Sequence, residues 1–214
     1  VDVAMLWPIN AIQAESWIYR DLDEHLSGKS PVAHWLPDSV NNYRLSGVLT
    51  DELRRDFTYV HPEDFVTGKL VIEGNELVLN NKVNRQNYKV LLMPGGNVIS
   101  AATLQAVKAF YDAGGKVIAT GLLPARSAEF GRDGEVRQLI ADIFGGEVSD
   151  EVFVTNSSGG GFAFIKDANK STLAAAMSKM GVSADVAFDE STIPNTSVGC
   201  VNYTHKQKEG RDIY

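Results

Sequence analysis

The stretch that decides the fold runs from Tyr88 to Pro124: YKVLLMPGG (88–96), NVISAATLQAVKAFYDA (97–113) and GGKVIATGLLP (114–124). Two apolar runs, Val90–Met93 and Val117–Ala119, are short and unbroken. A strand with one wet face alternates apolar and polar residues; an unbroken run predicts a strand covered on both faces, as in a parallel sheet. Between the runs Leu104, Val107, Phe110 and Tyr111 recur on one helical face. Ser100 can accept a bond from a free N–H at the helix start, and Gly114 can take the left-handed conformation at its end. The pattern is a β-α-β unit with a right-handed crossover. Its Pro94-Gly95-Gly96 and Gly121 turns then lie at the carboxyl ends of neighbouring strands, where open α/β sheets bind ligands.

Working outward, Val3–Trp7 reads as a first strand ending at Pro8, with Trp7 and Asn10 at the mouth of the expected crevice. Ala11–Leu26 has Ile18, Leu22 and Leu26 in helical register, and Gly28 and Pro31 break it. Arg44–Arg55 reads as a helix with Leu45, Val48, Leu49 and Leu53 inward, followed by a strand over Phe57–Val60 and its stop at His61-Pro62. KLVIEGNELVLN (69–80) is a hairpin about Gly74-Asn75, expected as a surface insertion or a contact to a neighbouring domain. Val136, Leu139, Ile140, Ile143 and Phe144 form the cleanest amphipathic helix, ended by Gly145-Gly146. Val152–Thr155, Phe162–Ile165, Val186–Phe188 and Gly199–His205 read as strands. Ser157–Gly161 is read as a flexible loop, Ser171–Met180 as a helix and Lys206–Gly210 as a turn. The predicted class is α/β: a mostly parallel open sheet with helices on both faces and an inserted β-hairpin at about 69–80. The α/β domain is expected to span 1–198, with 199–214 starting a following β-rich segment.

At 214 residues the chain allows one large or two small domains. The net charge of −7 and pI near 5.1, with dispersed basic residues, disfavour nucleic acid. No apolar run reaches bilayer-spanning length, so no membrane insertion is expected. Cys200 is the single cysteine, which excludes an internal disulfide and a cysteine-based zinc site. The chain opens on Val1 without a leader and stops at Tyr214, and is read as a piece of a longer protein.

Few side chains carry a chemical signature. His25, His34, His61 and His205 have no ligand spacing, so no metal and no cofactor are expected. The Pro94–Asn97 turn lacks the Lys-Ser/Thr of a phosphate loop and the spacing of a dinucleotide loop. The carboxylate pairs (Asp21 with Asp23 and Glu24, Asp51 with Glu52, Glu63 with Asp64, Asp189 with Glu190) read as solvated charges. None has the apolar setting that raises an acid's pKa. Trp17 and Trp35 read as packing residues. Trp7 is the aromatic placed to meet a ligand, and carbohydrate is the candidate, since aromatic faces stack on sugar rings. The candidate ligand-binding set is therefore Trp7, Asn10, Gly95, Gly96 and Gly121, with no catalytic residue assigned.

The run Leu91-Leu92-Met93-Pro94-Gly95-Gly96, a helix, and then Lys116–Leu122 resembles the core of class I glutamine amidotransferase-like domains. The resemblance implies a flavodoxin-like fold in which the Pro-Gly-Gly turn offers N–H groups to an oxyanion. It also implies a nucleophilic cysteine at the bend after the next strand. Here that bend carries Thr120-Gly121 and no thiol, and His205-Lys206-Gln207 lacks the glutamate of the family's His-Glu pair. The order of VAMLWP (3–8), the 69–80 hairpin, the two glycine turns and NYTHKQKEGRDIY (202–214) further resembles one region of large bacterial glycoside hydrolases. The nearest is the α-L-rhamnosidase type, and related domains serve trimerisation in β-galactosidases. That resemblance implies a non-catalytic accessory domain, secreted or periplasmic, whose partners are the catalytic barrel and the following β domain of the same polypeptide. The alternatives are a stand-alone amidotransferase-like hydrolase using Cys200 or Thr120, and an oligomerisation module.

Overall fold

The computed structural model describes residues 2–15, 17–18, 34–35, 40–80, 85–145, 152–155, 160–184, 186, 189, 203, 205–208 and 210–213. Cys200, most of the strand expected at Val186–Phe188, most of that expected at Gly199–His205, most of the Ser157–Gly161 loop and the second half of the Ala11–Leu26 helix lie outside the described residues.

In chain order the strands and helices alternate. Strand β1 (Val3–Leu6) leads into helix α1 (Ile9–Glu15) and a small pair, β2 (Trp17–Ile18) with β3 (His34–Trp35). Helix α2 (Asn42–Gly47) runs into a wider π-type turn over Val48–Glu52 and on to β4 (Thr58–Val60) and α3 (Pro62–Val66). Three antiparallel strands follow: β5 (Leu70–Glu73), β6 (Glu76–Asn80) and β7 (Arg85–Tyr88). Then come β8 (Val90–Met93), β9 (Val98–Ile99), α4 (Ala101–Asp112), β10 (Lys116–Thr120) and β11 (Arg126–Ser127). Helix α5 (Asp133–Phe144), β12 (Val152–Thr155), β13 (Gly161–Ile165), α6 (Lys170–Lys179), β14 (Lys206–Lys208) and β15 (Arg211–Ile213) complete the order.

The main sheet has the order β12-β13-β10-β8-β1-β4. Five strands are parallel; β12 pairs antiparallel at one edge. In chain order the parallel strands are β1, β4, β8, β10 and β13, so the strand sequence reverses between β1 and β8. This is the flavodoxin-like winding, and the reversal is its switch point. The apolar runs behave as the sequence predicts, because every residue of β1 and β8 is buried. Alternate residues feed two cores. Ala4, Leu6, Leu91, Met93, Val117 and Ala119 pack with Leu104, Val107 and Phe110 of α4 and Val136, Ile140 and Phe144 of α5. Val3, Met5, Val90, Leu92, Ile118 and Ile165 pack with Leu45, Val48 and Leu49 of the α2 segment and Leu173 and Met177 of α6. Helices therefore cover both faces, and each unbroken run is read twice, once by each core.

Local signals account for the element ends. The Ser100 side chain accepts the Thr103 N–H at the start of α4, and Gly114 adopts φ +95° past its end. Gly145 takes φ +81° at the end of α5.

Three expectations are corrected. The Ala11–Leu26 helix stops at Glu15, because Trp17 and Ile18 pair with Trp35 and His34 instead of continuing the helical register. The 69–80 hairpin gains a third strand, β7, paired Leu77↔Tyr88. It is no loose ornament, since Leu70, Leu77 and Tyr88 enter the α4/α5 core. Lys206–Lys208 is a strand paired with Arg211–Ile213, so the turn narrows to the residues around Gly210, which has φ +73°.

Candidate functional site

The switch point lies between the carboxyl ends of β1 and β8. Leu6, Trp7, Pro8 and Asn10 approach it from one side, and Met93, Pro94 and Gly96 from the other. The sequence-predicted Trp7, Asn10 and Gly96 thus come together here. The space among them is about 20 Å³. That suits one water and no sugar ring. The cause is the close seating of α1: a Cβ built on Gly96 would stand 2.5 Å from the Ala11 Cβ. Glycine is needed here for approach, not for a left-handed backbone. Trp7 packs edge-on against Tyr59 at 5.0 Å, and Tyr59 against Phe57 at 5.0 Å, extending an aromatic row along the sheet edge.

The Pro94–Asn97 turn is the element that the amidotransferase resemblance ties to an oxyanion. Such a site needs N–H donors aimed at empty space where charge develops. Here the Gly95 N–H donates to Asn41 Oδ1 at 2.9 Å. The Gly96 N–H donates to the Leu122 carbonyl at 3.2 Å. The Asn97 N–H donates to Glu15 Oε1 at 2.6 Å. All three donors of the turn are spent on acceptors of the same chain.

The bend after β10 is equally closed. Thr120 is buried, and its hydroxyl lies 3.2 Å from Asn41 Oδ1 and 3.5 Å from the Met93 carbonyl. Neither partner is a base. Gly121, at the position the resemblance assigns to a nucleophile, has φ +71° and donates its N–H to the Ile165 carbonyl at 2.9 Å. The left-handed backbone explains glycine there. The bend and the Pro-Gly-Gly turn are also stitched together, because the Ala125 and Arg126 N–H groups donate to the Asn97 carbonyl and β9 pairs with β11.

Three residues that organise this region carry no signal in a motif search: Asn41, Glu15 and Glu129. Asn41 precedes α2 and could be read as its N-cap, yet it makes no side-chain cap bond. Its side chain crosses to Gly95 and Thr120 instead. Glu129 sits at the amino end of α4. Its carboxylate accepts the Ser100 hydroxyl at 2.8 Å, the Ala101 N–H at 2.9 Å and the Ser127 hydroxyl at 2.5 Å. Burial pushes its carboxyl up, but the bonds from Ser127, Ala101 and Ser100 outweigh this and hold it at about 2.

The remaining candidates stand apart from the switch point. His61 caps α3, with its Nδ1 accepting the Glu63 N–H at 3.3 Å while Asp64 accepts the His61 N–H at 3.2 Å. Among the described residues no group of three or more His, Cys, Asp and Glu side chains is placed to hold a metal ion. No helix among them is long and apolar enough to cross a membrane.

No protein-family model matches the chain, and no curated protein matches it. Among solved structures, a rhamnosidase from Novosphingobium sp. PP1Y superposes on 86% of this chain and 14% of its own, with 18% identity and a TM-score of 0.47. The chain thus matches a small part of that protein's length, and at this similarity the match assigns neither activity nor site.

Proposed function

We propose that this chain is a non-catalytic accessory α/β domain of a large glycoside hydrolase, nearest the α-L-rhamnosidase type, and that it braces the catalytic barrel. The observation that carries the non-catalytic half is the filled turn: Gly95, Gly96 and Asn97 donate to Asn41, Leu122 and Glu15. An oxyanion would have to displace these internal acceptors, and among the described residues no base contacts Thr120 to activate it. The glycoside hydrolase half is supported by the ordered motifs of the sequence, from VAMLWP (3–8) to NYTHKQKEGRDIY (202–214). On this reading the partners are the barrel and the following β domain, and the parent protein is secreted or periplasmic.

The test pairs two measurements. The purified chain, incubated with glutamine and separately with an aryl α-L-rhamnoside, releases neither ammonia nor chromophore. Added to a separately expressed catalytic barrel of the parent protein, it raises the barrel's unfolding midpoint. Turnover of either substrate, or a barrel indifferent to the chain, contradicts the reading.

A further inference from the structure

Helix α1 covers the switch point and is built unlike the other helices. It has seven residues and buries one of them, Ala11. Among the described residues it is the one helix with no side chain in either core. By contrast α2 supplies Leu45, α3 Phe65, α4 Leu104, α5 Ile140 and α6 Leu173. A helix of two turns does not hold its own shape in water, so tertiary contacts must hold it. Its charge works against it as well. Glu15 lies in the last turn, where the helix carbonyls repel a carboxylate, and no basic side chain stands in that turn to offset this.

The contacts that seat α1 converge on the segment 96–100. Ala11 rests on Gly96, which has no Cβ to obstruct it. The Asn10 Oδ1 accepts the Ser100 N–H at 3.2 Å, and the Glu15 Oε1 accepts the Asn97 N–H at 2.6 Å. Leu6, Met93 and Ile99 line the same small cavity as Ala11 and are buried. Undocking of α1 therefore breaks two side-chain hydrogen bonds and one close contact, and leaves the helices that pack the two cores in place.

We infer that α1 is a lid over the switch point, which undocks as one unit at a free energy well below that of global unfolding. Elements with few buried apolar contacts occupy the low end of a protein's range of opening free energies. The closed form has about 20 Å³ at the switch point, room for one water. The open form exposes Leu6, Met93 and Ile99 and frees the Asn97 and Ser100 N–H groups beside them. It thus offers an apolar floor with two donors at its rim, the make-up of a small-molecule site. The Gly95 and Gly96 N–H groups stay with Asn41 and Leu122, which lie outside the lid. The inference is therefore independent of the accessory role.

Native-state hydrogen exchange on the whole chain, followed by NMR at several sub-denaturing urea concentrations, tests it. The amides of Ile12 to Glu15, Asn97 and Ser100 are expected to exchange through one common opening, with a shallower urea dependence than the slowest amides of α5. Glu15→Ala removes one charge-assisted hydrogen bond and is expected to speed exchange of that whole set together, roughly tenfold. Ile143→Val trims the α5 core, whose contacts undocking leaves in place. It is expected to speed the slowest α5 amides and to leave the α1 set unchanged. An α1 set that accelerates with Ile143→Val, or that shares the urea dependence of α5, means that the helix opens only with the whole fold and overturns the inference. So does acceleration of Asn97 alone by Glu15→Ala, which marks a lost bond without a moving helix.

Discussion

Replacing Glu129 by glutamine removes the charge that fastens the β11–α5 loop to α4, and its cost can be worked from the geometry. The carboxylate receives the Ser100 and Ser127 hydroxyls and the Ala101 N–H at the positive end of a 12-residue helix. The fall of its carboxyl from 4.5 to about 2 corresponds to at most ~3.4 kcal/mol. The side chain is 35% exposed, so solvent screening discounts this to about 1–2 kcal/mol. The sign follows from linkage. A carboxyl with a lowered folded pKa stabilises above its unfolded value near 4.5 and loses that contribution as pH falls through about 2. Urea unfolding of the wild type and Glu129→Gln at pH 7 should differ by about 1–2 kcal/mol at equal slope, and the gap should shrink steadily from pH 4.5 to pH 2. Equal stability at pH 7, or a gap that persists unchanged at pH 2, refutes the reasoning.

Two further substitutions probe the closed switch point. Asn41→Ala leaves the buried Gly95 N–H without its acceptor and should cost about 1–3 kcal/mol in urea unfolding without producing glutaminase activity. Gly96→Ala places a methyl 2.5 Å from the Ala11 Cβ, and overpacking of that kind should cost about 1–3 kcal/mol by the same assay.

The sheet was legible because its strands are buried twice. An unbroken run such as Val90–Met93 needs no partner information to be recognised, and neither does the apolar stripe of α5. What could not be read depends on distant chain meeting distant chain. Strands β9 and β11 have two residues each and exist only because the loops after β8 and β10 run side by side. Arg85–Tyr88 is polar in sequence and becomes a strand through pairing with β6. Ile18 shares helical register with Leu22 and Leu26 in the sequence, yet Trp17 and Ile18 pair with Trp35 and His34 instead. The strand order brings Trp7, Asn10 and Gly96 together at the switch point, as their positions at strand ends imply. The occupied turn was hidden, because nothing local marks Asn41 as reaching across to Gly95 and Thr120, 54 and 79 positions along. The hydrophobic pattern specifies the framework; long-range polar side chains decide whether the turn at its mouth stays open.

The central claim is that the Gly95 N–H, the donor an oxyanion would need, is held by the Asn41 side chain. Amide hydrogen exchange at Gly95 in the wild type and in Asn41→Ala measures this directly. The account predicts a strongly protected Gly95 amide that loses its protection when Asn41 is removed. A Gly95 amide that exchanges freely in the wild type, or that is equally protected without Asn41, contradicts it.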